Sequence, residues 1–515
     1  MTAVPLGALP AITYLLLAYV VRPAGGAIAP VRLALTRAAV LVGAAVAVLV
    51  EVLSAVHALT VAAAVIAWSV GLVAAGVGVV LRYRRDRRAG SAVGIGALVA
   101  RARCAWAATG RVERILLIVL AVQIAAELVI AVVSPPNNYD SQTYHLPKIE
   151  HWVVQRDVSF YPTSIDRQLS MAPGAEYLLL QLRLLTGGDA LYNLLQLAAG
   201  LGCALLAARI AGQLGGSVRA QLLTAFVVGT TPMVALESTS TQTDLVVAAW
   251  VAALATLVLD ELDRRTPLGS LALLGTGTGL VVLTKATGAV AAGPLLLYWL
   301  VVQARRGVPR ALAAGALTVA LALVVAGPFL QRSYAEYGNP LGPPIQRDAI
   351  SMQRHDPPAI LVNTLRIAQN VLQTPSTRLN NGAAREIERL SRAMGVNPDD
   401  RSITFWGSTF PAATWLPDED KAAFPVEALL VLGGAVVLLT TRRPATVRWY
   451  AALFWVSLLG YVATVKWQPW GNRLILFLLV LGAPLAGLWL DALARARWRG
   501  RRVPAVAVTV ALVLS

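Results

Sequence analysis

The sequence predicts an all-α polytopic membrane protein, and three features carry that reading. Of its 515 residues, 57% are hydrophobic and 14% charged, with a mean hydropathy of +0.65, whereas soluble domains are about half apolar and about a quarter charged. Apolar stretches recur along the whole chain at lengths near the ~20 residues a helix needs to cross a bilayer. The cations are mostly arginine and fall in short connections between those stretches, the positive-inside arrangement. Leu, Val and Ala supply the apolar excess, which suits lipid-facing helices better than a β-barrel of alternating strands.

The length rule gives about fourteen spans. The first apolar stretch, Leu6 to Val21, has no basic leader and no small-residue cleavage site, so it reads as a retained span rather than a signal peptide. Three spans ending near Arg82, with the basic loop after them, make an N-terminal extension over residues 1–111. A membrane core over 112–330 follows, opening with Ile115–Val133. It continues with three spans between Ala190 and Leu259, a close pair from Leu271 to Leu300, and one from Ala311 to Leu330. Residues 331–424 form a loop domain, and the C-terminal spans of 425–515 begin near Val426, Trp449, Leu474 and Val503.

Loop charge sets the orientation. Arg82, Arg84, Arg85, Arg87 and Arg88, then Arg101, Arg103, Arg111 and Arg114, share one connection. Arg264 and Arg265, Arg305 and Arg306, Arg442 and Arg443, and Arg495 to Arg502 occupy others. All land on one side if the N-terminus is outside, which makes that side cytoplasmic. The net charge of +17 is therefore a topology signal, and nucleic acid is not an expected partner. The four lysines, Lys148, Lys285, Lys421 and Lys466, fall on the outer side. Cys104 falls in a cytoplasmic loop and Cys203 in a span, so no disulfide is expected.

Two long outer loops remain, 134–189 and 331–424, and loops of that length are usually functional. In the first, Ile149, Trp152 and Val153 have the spacing of a helix lying on the membrane surface. The second carries Trp406, Trp415 and several prolines and reads as a small folded cap.

Polar groups collect at this outer face. Asp140, in Asn137-Asn138-Tyr139-Asp140-Ser141-Gln142-Thr143-Tyr144-His145, follows a span closely. It is either a partly desolvated general base or a helix-capping acid at the membrane edge. Glu237-Ser238-Thr239-Ser240-Thr241-Gln242-Thr243-Asp244 is ordinary capping material but unusually polar for a hairpin. With Asp140 it can share a proton, bind a divalent cation or orient one substrate. Lys285, wedged between apolar segments, is either functional or snorkels to the headgroups. Lys466-Trp467-Gln468-Pro469-Trp470-Gly471-Asn472-Arg473 offers two cations suited to a phosphate, beside tryptophans that also fit an interfacial belt. No histidine pair has a supported metal spacing, and Glu51 and Glu127 read as interhelical hydrogen-bonding groups. Nucleotide-binding and hydrolase motifs are absent from the sequence. Cations beside an acid at headgroup level suit an anionic, lipid-linked substrate.

On these residues the chain resembles the GT-C superfamily of polyprenyl-phosphate-dependent membrane glycosyltransferases, in the branch of the protein O-mannosyltransferases and the aminoarabinose and arabinofuranosyl transferases. The resemblance runs through Tyr139–His145, Tyr161–Gln168, Ala172–Tyr177, Thr241–Asp244, Leu283–Lys285 and Lys466–Trp470. It implies a GT-C-like helical bundle with outer surface helices and a small outer loop domain. It also implies an inverting transfer of a sugar from a polyprenyl phosphate to an acceptor. Asp140 would be the base, assisted by Asp244. Lys285, Arg473 and Lys466 would hold the donor phosphate, and His145, Gln142, Arg167, Glu176 and Trp467 would contact substrate. Ser141 stands where many relatives carry a second acid, which argues against a carboxylate-pair metal site, so no cofactor is firmly expected and a divalent cation (Mg²⁺ or Mn²⁺) stays open, with Asp244 as its candidate ligand. The arginine and alanine bias suggests a GC-rich bacterium. Its plasma membrane would house the enzyme, with membrane lipids around it and a cell-envelope glycan or glycolipid as acceptor. The alternative is a lipid or oligosaccharide transporter or flippase, which should show inverted repeats with helices broken in matching places; none is evident in the sequence.

Overall fold

The computed structural model describes residues 4–495 apart from 24, 90–102, 105, 108, 412–414 and 416. The span expected from Val503 lies outside the described residues. Seven helical stretches are long and apolar enough to cross a membrane: Pro30–Ala55, Val61–Arg88, Arg111–Val133, Asn193–Gln213, Ala286–Ala304, Val308–Tyr337 and Leu476–Arg495. Shorter apolar helices accompany them at Pro5–Val20, Val218–Thr230, Leu268–Thr284 and Pro425–Thr440. The helices Asp244–Asp260 and Ala445–Thr464 complete the bundle. Among the described residues there is no β-sheet, only two isolated bridges. The chain is an all-α, multi-pass membrane protein.

Hydrophobicity on every side of a helix marks one buried all round, and Asp244–Asp260 is such a helix, with Leu245 to Val258 almost wholly enclosed. Leu476–Arg495 is its equally enclosed neighbour, whereas Val61–Arg88 and Arg111–Val133 are largely exposed along their lengths. Close approach is carried by small residues. A Cβ on Gly275 would lie 2.6 Å from Leu321 Cβ, and one on Gly279 2.7 Å from the Ala322 carbonyl. Helix Leu268–Thr284 thus packs backbone-close on Val308–Tyr337.

Asp244 and Asp260 mark the two ends of the central helix, about 24 Å apart at ~1.5 Å per residue. At the Asp260 end the ion pairs Arg209–Asp260 (2.9 Å), Arg264–Glu261 (2.6 Å) and Arg219–Glu113 (2.6 Å) gather. At the Asp244 end lie both long loops, 134–189 and 331–424.

Three expectations need correction. Ile149 and Trp152 do not face lipid: they are buried, Trp152 edge-on to Tyr177 with ring centroids 5.5 Å apart. Helix Leu146–Gln155 thus turns its apolar side onto helix Gly174–Thr186. Helix Val308–Tyr337 continues beyond Leu330 and ends at Gly338, whose φ of 65° is the left-handed C-terminal stop glycine favours. Glu127 accepts from Gln123 Nε2 (2.9 Å) within its own helix, and Gln123 makes the interhelical bond, to Gly229 O. Glu51 does bridge helices, accepting from Arg332 (2.6 and 2.8 Å) and the Tyr177 hydroxyl. Beyond Gly338 the loop includes helices Pro357–Val371 and Thr377–Ala393 and has its own small core of Met352, Ala359, Val362, Val396 and Ile403.

Candidate active site

The site is assembled from four short connections at the Asp244 end. After Pro135-Pro136, the Asn138 side chain accepts from Ser141 N (2.8 Å) and Gln142 Nε2 donates to Pro136 O (2.6 Å). These bonds set the start of a wide π-helical turn, Ser141–His145, with Asp140 at its head. Thr241 and Ser141 join the second connection to the first through their hydroxyls (2.5 Å), beside Asp244 in the first turn of the central helix. Lys285 follows helix Leu268–Thr284 in extended backbone. Arg473 sits in the one-turn helix Gly471–Leu474, where Asn472 Nδ2 donates to the carbonyls of Asn370, Lys421 and Ala422, each at 3.1 Å. That anchor ties the loop domain to the bundle and brings Asp420 beside Arg473.

Arg473 is the hub. Its guanidinium pairs with Asp140 Oδ2 and donates to Gln242 Oε1. Asp420 Oδ1 is 3.3 Å from Nε and Asp244 Oδ2 is 3.8 Å from Nη1. Lys285 Nζ is 2.6 Å from Asp244 Oδ1 and remains partly exposed. Arg167 Nη1 is 3.7 Å from Asp140 Oδ1, its guanidinium over the Tyr144 ring. Three carboxylates and three cations thus form one cluster at a bundle end.

Burial alone would push the Asp140 carboxyl up, but the Arg473 charge overrides it and holds it down at about 2. The carboxylate expected to gain basicity from desolvation is therefore a weak base while Arg473 stays on it. Asp420 moves the other way: burial raises its carboxyl despite Arg473. Burial works against the charge on Arg473, and the surrounding aspartates more than compensate. Nearby Glu237 is fully buried, accepts from Gln196 Nε2 (2.8 Å), and is pushed well above the carboxylate range by burial and by Asp244.

The remaining expected residues make their own contacts elsewhere, although His145 stands near enough to Asp140 for its charge to act on that carboxyl. Glu176 Oε1 is 2.8 Å from both His145 Nδ1 and Lys148 Nζ, and all three side chains are buried. Burial raises the Glu176 carboxyl, but Lys148 and His145 bring it down to about 2. This triad locks helix Leu146–Gln155 to helix Gly174–Thr186. Lys466 points into the loop domain, donating to Asp348 O, and Trp467 is enclosed there, edge-on to Phe410 at 5.3 Å and under Arg366. Gln142 holds the backbone turn described above.

Asp420 and the Gln242 contact to Arg473 had no sequence signal beyond the acidic run Asp418-Glu419-Asp420 before an apolar helix, which reads as capping. Among the described residues no three His, Cys, Asp or Glu side chains group so as to hold a metal ion. Asp140, Asp244 and Asp420 each lie against a cation.

No family profile matches the chain, and no curated protein matches it. Among solved structures it is similar to ArnT from Cupriavidus metallidurans bound to undecaprenyl phosphate, at 16% identity over 73% of this chain and 78% of that one, with a TM-score of 0.35. The same protein in its apo state gives 16% identity, 72% and 78% coverage and a TM-score of 0.37.

Proposed function

We propose that the chain is an inverting glycosyltransferase that moves a sugar from a polyprenyl phosphate to a cell-envelope acceptor at the outer face of a bacterial plasma membrane. One observation supports this reading above the others: Arg473, buried among three aspartates at one end of the bundle, with Lys285 and Arg167 beside it. A guanidinium is suited to a bidentate phosphate partner, and in this reading a lipid phosphate reaches it at headgroup depth.

In this reading the donor phosphate takes Arg473 from Asp140, with Lys285 as second cation. The burial that Arg473 had offset then raises the Asp140 carboxyl, and the base becomes effective only when donor is present. Asp140 removes the acceptor hydroxyl proton. The acceptor oxygen bonds to the anomeric carbon as the carbon–oxygen bond to phosphate breaks, and the electron pair leaves on phosphate. Arg473 and Lys285 stabilise the charge that builds there, commonly a large catalytic contribution. Asp244 holds Lys285 in place.

The test is Asp140→Asn in the purified protein, with polyprenyl-phosphate sugars as donors. Turnover should fall about 10²- to 10⁴-fold, the usual contribution of a general base, while donor affinity is kept or tightened, because the carboxylate that competes with phosphate for Arg473 is gone. Turnover within tenfold of the parent would remove Asp140 from this role.

A further inference from the structure

A second site lies at the opposite, arginine-rich end of the bundle, where the N-terminal extension meets the core. A cavity of about 560 Å³ is lined there by Arg22, Arg37, Arg82 and Arg264, with Leu41 and Leu273 among its apolar walls. Its volume is in the range of small-molecule sites (~300–1,000 Å³). The arginines come from four places: the connection after helix Ala8–Val20, helices Pro30–Ala55 and Val61–Arg88, and the turn after the central helix.

Their charge is only partly answered. Arg22 and Arg82 share one carboxylate, Asp86, and Arg264 pairs with Glu261 at 2.6 Å. Asp260 is taken by Arg209 at 2.9 Å. Arg37 donates to the Val21 carbonyl at 3.2 Å, has no carboxylate partner among the described residues, and its buried Nε has no hydrogen-bond acceptor. With Arg209 and Asp260, whose charges also reach Arg37, five guanidiniums thus face three carboxylates, and Leu41 and Leu273 make the inner wall apolar.

We infer that this cavity binds the phosphate headgroup of an anionic glycerophospholipid, with Arg37 as its principal contact and the apolar wall taking the start of an acyl chain. Basic pockets between spanning helices at the arginine-rich side have the chemistry for such headgroups. A free phosphate would use the arginines but not the apolar wall. The site is about one helix length from Arg473 and is independent of the transferase reading. The N-terminal spans gain a role by it, since they build three sides of the pocket.

The full-length protein in detergent would be examined by native mass spectrometry with equal amounts of dioleoylphosphatidylglycerol and dioleoylphosphatidylcholine. Phosphatidylglycerol should be retained preferentially. Arg37→Gln should lower that retention about fivefold, the usual effect of one basic side chain on anionic lipid. Leu41→Trp, which fills the cavity and leaves every arginine in place, should lower it as well and carries the test if Arg37→Gln does not fold. Lys285→Gln should leave it unchanged. Equal retention of the two lipids, loss with Lys285→Gln but not with Arg37→Gln or Leu41→Trp, or displacement by millimolar inorganic phosphate would overturn the assignment.

Discussion

Replacing Arg473 with glutamine removes the charge that three aspartates face, and its consequence for Asp140 can be worked out. The fall of the Asp140 carboxyl from 3.8 to about 2 corresponds to about 2.5 kcal/mol at ~1.4 kcal/mol per pH unit. Breaking a buried pair by removing one partner costs about 3–5 kcal/mol in general, so Arg473→Gln should destabilise by at least the smaller figure. Asp140→Asn on that background leaves nothing charged to compensate at position 140. The double variant should therefore be more stable than the sum of the single losses by about 2 kcal/mol. The pH dependence has a definite sign. A depressed carboxyl binds fewer protons in the folded protein, so its contribution is full above pH ~4 and is lost as pH falls toward 2. In Arg473→Gln burial dominates, the carboxyl rises above 3.8, and its contribution reverses, with stability falling as pH increases through the raised value. Tryptophan-fluorescence unfolding in detergent at about pH 2.5, 4.5 and 7 would read the parent's loss toward low pH, the variant's loss toward high pH and the coupling. Additivity within ~0.5 kcal/mol, or no reversal, would refute the coupling.

Asp420→Asn removes an anion 3.3 Å from Arg473 that competes with phosphate. Donor binding measured by isothermal titration should tighten up to about fivefold, since a unit charge at ~4 Å in a water-like medium is worth ~1 kcal/mol. Glu176→Gln leaves fully buried Lys148 without its anion and should cost about 3–5 kcal/mol of stability; Lys148→Met with Glu176→Leu should recover most of it. A reporter fused after Arg88 should read as cytoplasmic, and an external signal would invert the proposed orientation.

The spans were legible in the sequence because a bilayer forces composition and length on every helix that crosses it. Helix Val308–Tyr337 outran its apolar stretch because polar residues continue a helix once it leaves lipid. The face taken by Ile149 and Trp152 was not legible, since an amphipathic pattern does not say whether lipid or another helix covers it. Asp140, Asp244, Lys285, Arg167 and Arg473 could be picked out as chemistry-bearing residues at one face, and the structure brings them together. What the sequence could not supply was the sign of Asp140's basicity. Desolvation was a local inference, whereas the charge that reverses it comes from a residue 333 positions away. Asp420 stayed hidden for the same reason, reaching the hub only through the anchor that Asn472 makes to the loop domain.

Native mass spectrometry of the purified protein, without added lipid, puts the proposed donor to the test. A co-purifying polyprenyl phosphate, with or without its sugar, that is retained by the parent and lost in Arg473→Gln and Lys285→Gln is the result predicted here. Bound lipids with no polyprenyl phosphate among them, or a polyprenyl phosphate held equally by all three proteins, would contradict it.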